Sequence, residues 1–505
     1  MDGIDAVLRG ATIASGAPPV PRACYARFVR AHLLVPFVLI LGACGDDKPR
    51  TPNVLLISID TLRADHLGCY GYGRATSPNL DRLAAEGALF EQHVSSSSWT
   101  LPAHAAIFTG LSDSGHGCTD VDKALEPRFE TIAERFQSNG YATAGFFAGP
   151  FLHPAFGFGQ GFDQYTDCTS YGAALDAANP VDWAKDDTTR KASHEDVANP
   201  RTFEAFQRWF GAREEKPFFA FVHLWDVHYD FTPPPPFDTR FDPDYTGWVD
   251  GKNFFFDERI GPEMAKRDLD HLIALYDGEI AWTDTYLAKI RDELERAGVL
   301  DDTVIVVTSD HGTEFFEHGW KGHRTTLYDE VIHVPLVVRY PKSIPAGMRV
   351  SAQTRSVDLA PTLLELCGLG ELRDISGVSL LDLIREPVLR TSAGPRAISE
   401  LDSVGRSLIS VREKGWKVIG DRSRATARTF DLRTDPGEKR PIEDSASPLV
   451  ATGAEALESA GTELQRLSEA HAGASAGSAP PPGVQKHLDD LGYTGQDAPP
   501  REGPR

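Results

Sequence analysis

Sulfur is scarce in this chain, with six cysteines and three methionines in 505 residues. No two of those cysteines have the spacing of a thiolate zinc site, which excludes a zinc-finger type of scaffold. Positive charge is short as well: Lys and Arg total 51 against 73 Asp and Glu, a net charge of −22. Phosphate contacts need a basic surface, so non-specific nucleic-acid binding is excluded as a function class. An active site is not excluded, because a metal ion and a few local cations outweigh the bulk field. Long apolar runs are also missing; Leu33–Leu41 reaches only about half of the roughly 20 residues that a membrane-spanning helix needs. No internal repeat is evident. What remains is ordinary, 41% hydrophobic and 25% charged residues, in a chain long enough for a large core and a smaller second unit.

Arg22, Arg27 and Arg30 precede the short apolar run and Gly42-Ala43-Cys44 follow it, the layout of a secretory signal. Leu41-Gly42-Ala43-Cys44 resembles the lipobox of bacterial lipoproteins, in which the cysteine becomes the lipidated first residue. Cleavage of a plain signal peptide nearby is the alternative. Residues 1–43 are therefore expected to be a signal and 44–52 a linker. The protein is expected outside the cytoplasm, anchored to the bacterial cell envelope through Cys44. Residues 1–20 are a long prelude to such a signal, so the initiator is expected downstream of Met1. Cys24 then leaves with the signal. Cys69, Cys118, Cys168 and Cys367 remain, with three pairings open in a compartment that permits disulfides.

Val54–Ile59 is nearly continuous and β-branched, as a parallel strand covered on both faces requires, and it ends on Asp60. Pro78–Phe90 reads as a helix with Leu80, Leu83, Ala84 and Leu89 on one face. Phe129–Asn139 reads as a helix closed by Gly140, and Tyr141–Phe147 as a strand. Gly149–Pro200 is irregular. A helix at Phe203–Phe210 precedes a second buried strand, Phe218–Val222, which delivers His223 through His228. Met264–Gly298 is helical, and a third buried strand, Thr303–Thr308, ends at Asp310-His311-Gly312. A strand at Val334–Tyr340 and a helix at Leu359–Cys367 extend the main unit. Short strands follow at Ala397–Glu400, Ser407–Arg412, Trp416–Gly420 and Thr429–Leu432, a small antiparallel sheet. Ala451–His471 is a terminal helix candidate, whereas Ala472–Pro482 and the last ten residues read as disordered.

Three buried strands thus end in acid or acid plus histidine, at Asp60, at Asp226 and His228, and at Asp310 and His311. Open α/β sheets place ligand chemistry at the C-terminal ends of their strands. Between the first two lies Ser95–Gly110, SSSSWTLPAHAAIFTG, in which Thr100-x-Pro102-x-His104 opens an apolar helix. An ordinary helix-capping threonine is the bland reading. The alternative sets Thr100 beside Asp60, Asp310 and His311, two hard oxygen ligands and an imidazole. These suit Mn²⁺, Zn²⁺, Mg²⁺ or Ca²⁺, and such an ion stabilises the threonine alkoxide as a nucleophile.

With these residues in view, the chain resembles the sulfatase family of the alkaline-phosphatase superfamily. The matching blocks occur in family order across most of residues 53–440: PNVLLISIDTLRADHLGCYGYGRATSPNLDRLAAEG, the Thr100 segment, DVHYDFTPP, TVIVVTSDHG, HGWKGHRTTLYDEVIHVPLVVR, SVDLAPTLLELCG and FDLRTDPGE. The resemblance implies an α/β fold, a large mixed but mostly parallel sheet sandwiched by helices, with a small C-terminal antiparallel subdomain. On that reading 53–385 form the catalytic domain, 386–445 the small subdomain, and 446–505 a terminal helix and disordered tail. The resemblance assigns Thr100, Asp60, Asp310 and His311 to one divalent metal ion. His104, His228 and His323 become catalytic, and Arg324 and Arg63 bind the substrate's anion. Asp226, His228 and His323 are the set for a second metal ion. His318 and His333 read better as structural.

Three departures from the family pattern shape the functional reading. Active sulfatases carry Cys or Ser at the Thr100 position, oxidised to formylglycine; threonine would give a poorly hydrating ketone, so Thr100 is expected to act directly. Thr61 replaces a second acid beside Asp60, which shifts the expected metal toward Mn²⁺ or Zn²⁺. The Gly-Lys-Trp-His block expected near Phe146–Phe151 is absent. The expectation is a metal-dependent hydrolase of sulfate, phosphate or phosphonate esters, whose partner is an anionic ester. A membrane-anchored phospho-headgroup transferase and a non-catalytic binding protein are the alternatives.

Overall fold

Runs that are apolar on both faces form the middle of a large sheet. In the computed structural model, which describes residues 51–170, 196–403, 405–470 and 480–494, every residue of β1 (Asn53–Ile59) is buried. The other strands of this sheet are β2 (Ala88–Val94), β3 (Ala142–Phe147), β4 (Gln164–Asp167), β5 (Phe218–Leu224), β6 (Thr303–Thr308), β9 (His333–Arg339) and β10 (Met348–Arg355). A two-residue hairpin, β7 (Glu314–Phe315) and β8 (Lys321–Gly322), lies between them in sequence. The order is β10-β2-β9-β6-β1-β5-β3-β4. β1 runs parallel to both of its neighbours, β5 and β6. Only β9 runs against its partners, β2 and β6. A large, mixed and mostly parallel sheet is therefore what the family resemblance implied.

Several expectations fail for local reasons. The helix expected over Pro78–Phe90 stops at Glu86, and Leu89 and Phe90 belong to β2. Gly87 makes the change possible: a Cβ there would meet the Val338 carbonyl oxygen of β9 at 2.3 Å. The chain therefore turns against the sheet where a larger residue could not. β4 and β10 are also absent from the sequence reading. The helix at Leu359–Cys367 is present, and the long helix covers Lys266–Arg296. A capping box between Thr131 and Glu134 starts the helix Ile132–Ser138, and Gly140 leaves it at φ +83°.

The C-terminal residues form a four-stranded antiparallel sheet, β11 (Ala397–Ser403), β12 (Arg406–Glu413), β13 (Trp416–Asp421) and β14 (Thr426–Phe430). Its own core of Val411, Trp416 and Val418 closes against Ala456, Ala460 and Leu464 of the helix Pro448–Ala470. Asp329, just before β9, ties it to the main sheet through Arg412 and Lys417. The tail beyond is not all irregular. Pro482–Asp490 is a helix whose Val484 and Leu488 join the main core. The expected disorder at Ala472–Pro482 and the last ten residues falls largely outside the described residues, as does the expected signal. Cys69, Cys118, Cys168 and Cys367 are all free thiols, so none of the three pairings forms.

Candidate active site

Asp60 leaves β1 at its C-terminal end, its amide donating to the Leu224 carbonyl of β5 at 3.0 Å. Asp310 and His311 leave β6, the other neighbour of β1. Thr100 is the first residue of the helix Thr100–Thr109, after an extended Trp99. Its hydroxyl caps nothing. It lies 3.3 Å from His311 Nε2, which removes the bland reading of this threonine. The serines before it hold the approach in place. Ser95 Oγ donates to the Asp310 carbonyl, Ser97 Oγ donates to the Glu400 carbonyl of β11 at 2.8 Å, and the Ser98 carbonyl accepts from the Arg324 amide at 2.9 Å.

His311 Nδ1 pairs with the Gly312 carbonyl at 2.9 Å, so its proton sits there and Nε2 presents a lone pair to the cluster. That Nε2 is 3.3 Å from Asp310 Oδ2 and 3.8 Å from Asp60 Oδ1. Asp60, Asp310 and His311 are 0% exposed and Thr100 is 2% exposed. Asp310 Oδ2 has no hydrogen-bond partner, and the Asp60 carboxyl has none beyond the Thr100 hydroxyl. Burial pushes the Asp60 carboxyl up to about 7, and His311 and the Thr100 hydroxyl only partly pull it back. Two buried carboxylates with unmet acceptors are costly unless a cation joins them. The donor set, with ligand atoms close enough to share one ion, fits a divalent metal.

His104 lies behind Thr100, on the same first helical turn. Nδ1 pairs with the Thr100 carbonyl at 2.9 Å and Nε2 with Ser58 Oγ at 3.0 Å. Burial pushes this imidazole down to about 4, so it is neutral. The expectation of direct catalysis is corrected to positioning: His104 fixes the first turn that carries Thr100. The sequence placed His223 at a strand end but gave it no role. It pairs in register with Ser58 across β1 and β5, and its Nε2 is 3.3 Å from Asp60 Oδ2. Burial pushes its imidazole down to about 4, against the pull of Asp310 and of a backbone hydrogen bond at Ala148. With His104 and Asp310 it makes a second buried set of potential ligands. A histidine directly after the phenylalanine-rich run Phe218–Val222, still inside the buried strand, was the available signal.

His228 and His323 do converge above His311; the His323 and His311 rings are 4.4 Å apart. Asp226 does not join them. Its carboxylate accepts from the Ala198 and Asn199 amides at 2.6 and 3.0 Å and from Trp282 Nε1 at 2.8 Å. It therefore holds the start of the helix Asn199–Ala212, and the expected second metal set of Asp226, His228 and His323 does not form. Arg63 is corrected too. Its guanidinium is spent on Asp65, Glu317 and the Thr313 carbonyl, all structural partners. Arg324 stays beside the site, 4.2 Å over the Trp99 ring, with Nε donating to Ser403 Oγ at 2.8 Å. Thr61, at φ +54°, gives its hydroxyl to the Val227 carbonyl, so it replaces the missing acid with a backbone anchor. The Phe146–Phe151 region is apolar, Phe151 meeting Trp99 edge-on at 5.1 Å. His318 and His333 are bound to the Glu438 and Glu91 carbonyls, as their structural reading requires.

Strand-end carboxylates and an imidazole from β1 and β6, facing a hydroxyl at a helix start under a mostly parallel sheet, define the alkaline-phosphatase superfamily architecture. The sulfatase family model matches residues 52–369, and a model described as N-sulphoglucosamine sulphohydrolase, C-terminal, matches 316–458. The chain belongs to the sulfatase family. It is 25% identical over 421 residues to the N-acetylglucosamine-6-O-sulfatase of Bacteroides thetaiotaomicron, covering 69% of this chain and 74% of that one. An arylsulfatase of Clostridium perfringens is 26% identical over 432 residues, covering 77% and 89%. A solved structure in complex with D-glucosamine-2-N,6-O-disulfate shares the fold at TM-score 0.68 and 20% identity, covering 84% of this chain and 99% of that one. The phosphonate monoester hydrolase of Agrobacterium radiobacter shares it at TM-score 0.64 and 23% identity, covering 83% and 96%. Membership makes the chain a sulfuric-ester-class hydrolase of a divalent-metal-dependent family.

Proposed function

We propose that Thr100 itself is the nucleophile of a metal-dependent anionic-ester hydrolase, acting on phosphate or phosphonate esters in preference to sulfate esters. The observation that carries this is the Thr100 hydroxyl, which caps nothing and lies 3.3 Å from His311 Nε2 within the buried Asp60 and Asp310 cluster. Asp60, Asp310 and His311 would hold the ion, which when bound lowers the cost of a threonine alkoxide and of the ester's charge. The helix start, whose first-turn amides have no partner within the helix, favours an anion. His104 keeps that turn in register. His228 and His323, whose Nε2 atoms face one common point, serve the ester's oxygens, with Arg324 behind them.

The preference for phosphorus follows from the exit step. A formylglycine sulfatase expels sulfate by collapse of a hemiacetal, and threonine has no such route. A phosphorylated threonine is instead opened by water attacking phosphorus in line, which returns the threonine hydroxyl and releases the phosphate or phosphonate. The buried carboxylates with unmet acceptors speak against a non-catalytic member. We also propose that residues 1–43 direct export and that Cys44 carries lipid, for which the sequence layout is the support. Nitrophenyl phosphate mono- and diesters, a phosphonate monoester, a sulfate, and glucosamine 6-phosphate and 6-sulfate, each with Mn²⁺, Zn²⁺, Mg²⁺ and Ca²⁺, form the test panel. Turnover of a phosphorus ester faster than of the matching sulfate is expected. Silence across the whole panel contradicts the reading.

A further inference from the structure

The substrate side of this site is filled by the protein's own C-terminal segment. Gly492, at φ +76°, sits where a Cβ would strike the Phe256 ring at 2.7 Å, so only glycine lets the chain turn inward there. Tyr493 follows. Its hydroxyl lies 2.8 Å from His228 Nε2 and 3.1 Å from His323 Nε2. His228 Nδ1 pairs with the Tyr229 carbonyl at 2.9 Å, so its Nε2 accepts the tyrosine proton and the tyrosine oxygen accepts from His323. The phenol ring meets Phe151 edge-on at 4.8 Å and lies 5.8 Å from the Arg324 guanidinium. Thr100, His228, His323 and Arg324 are each 2% exposed, leaving the site closed to solvent.

Resting on the proposed role of His228 and His323, we propose that the segment Pro481–Thr494 is an intramolecular competitor of substrate, with Tyr493 occupying the place of the ester's oxygens. Two features make it displaceable. It is held mainly by Val484, Leu488, Leu491 and Tyr493, a burial of the same order as the entropy cost of ordering a segment of this length. It also follows residues 472–480, AGASAGSAP, a sequence without large apolar side chains. The substrate's anion enters by taking over both histidines, and the tyrosine hydroxyl exchanges them for water. No covalent step is involved.

The test uses full-length protein and two variants, Tyr493→Ala, which removes the competing group, and Leu488→Glu, which unseats the helix. Two readouts are taken: KM for a nitrophenyl phosphorus ester, and the rate at which diethyl pyrocarbonate modifies His228 and His323, read by peptide mass spectrometry. The expected result is faster modification of both histidines in both variants, by about fivefold or more, and a KM several-fold lower with kcat kept or raised. Unchanged modification, or a KM that rises in folded variants, overturns the proposal and makes the segment a fixed wall. If no protein hydrolyses the ester but modification accelerates, the competitor stands and the hydrolytic reading falls. If hydrolysis proceeds with KM and modification unaltered, the reverse holds.

Discussion

At the scale of single residues the account rests on oxygen and nitrogen atoms that have nowhere else to go. The Asp60 oxygens and Asp310 Oδ2 are buried and face only imidazoles and the Thr100 hydroxyl, so Asp60→Asn or Asp310→Asn should abolish tight metal binding. Isothermal titration with Mn²⁺ should show a loss at least as large as the roughly 10- to 100-fold typical of outer-shell partners. His223→Ala should fall within that outer-shell range, because its Nε2 faces Asp60 from 3.3 Å. Thr100→Ser should retain turnover, whereas Thr100→Ala should lose about a thousandfold or more in kcat. The strand-end acids were legible because continuous β-branched runs announce buried parallel strands and their ends are easy to see. His223 was not, since alternation inside a strand buried on both faces marks no side. Arg63 was misread for a related reason. A sequence shows an arginine near an acid, but not that Asp65 and Glu317 consume its donors.

Elements decide whether those residues meet. The Ser95–Ser98 run is stitched to Asp310, to Arg324 and to β11, so the small sheet supports the approach to Thr100. Asp329 is the hinge pin of that arrangement, bonded to Arg412 at 2.9 Å and Lys417 at 2.8 Å. Asp329→Ala leaves Arg412 buried with only neutral partners while Lys417 keeps Glu438 at 2.9 Å, and should cost about 3 kcal/mol in a chemical-denaturation experiment. Glu330, next in the chain, behaves oppositely. Burial raises its carboxyl to about 8, with Glu438 and Glu317 adding to the rise and Arg63 opposing it. Its folded pKa exceeds the unfolded value of about 4.5. The neutral form therefore contributes stability that is full below about 4.5 and is lost as pH rises through about 8. A Glu330→Gln variant, neutral throughout, should gain in Tm over the parent as pH goes from 6 to 9; a constant gap would remove Glu330 from the account. Helices and strands flanked by clear punctuation were legible. β2 was not, because the apolar residues Leu89 and Phe90 continue a helical pattern that only the close approach at Gly87 interrupts.

For the whole molecule, the sequence pattern and family resemblance together foretold a large mostly parallel sheet with a small antiparallel companion, and the fold bears this out. They did not foretell that the segment Pro481–Thr494 returns to the site, because nothing local in Pro482–Tyr493 names its distant partners Phe151, His228 and His323. Metal removal should be felt globally. Ion binding to the folded state alone adds about 2.7 kcal/mol at a concentration 100 times Kd. Chelation should therefore lower Tm and readdition of Mn²⁺ or Zn²⁺ restore it, while a Tm indifferent to chelator would contradict a bound ion. The central claim, that a threonine oxygen attacks the ester, is tested most directly by rapid quench of the metal-loaded enzyme with a phosphorus ester, followed by mass spectrometry of the peptide holding Thr100. The account predicts a phosphoryl group on Thr100 that forms and decays at rates compatible with turnover; turnover with that peptide unmodified at every time point would contradict it.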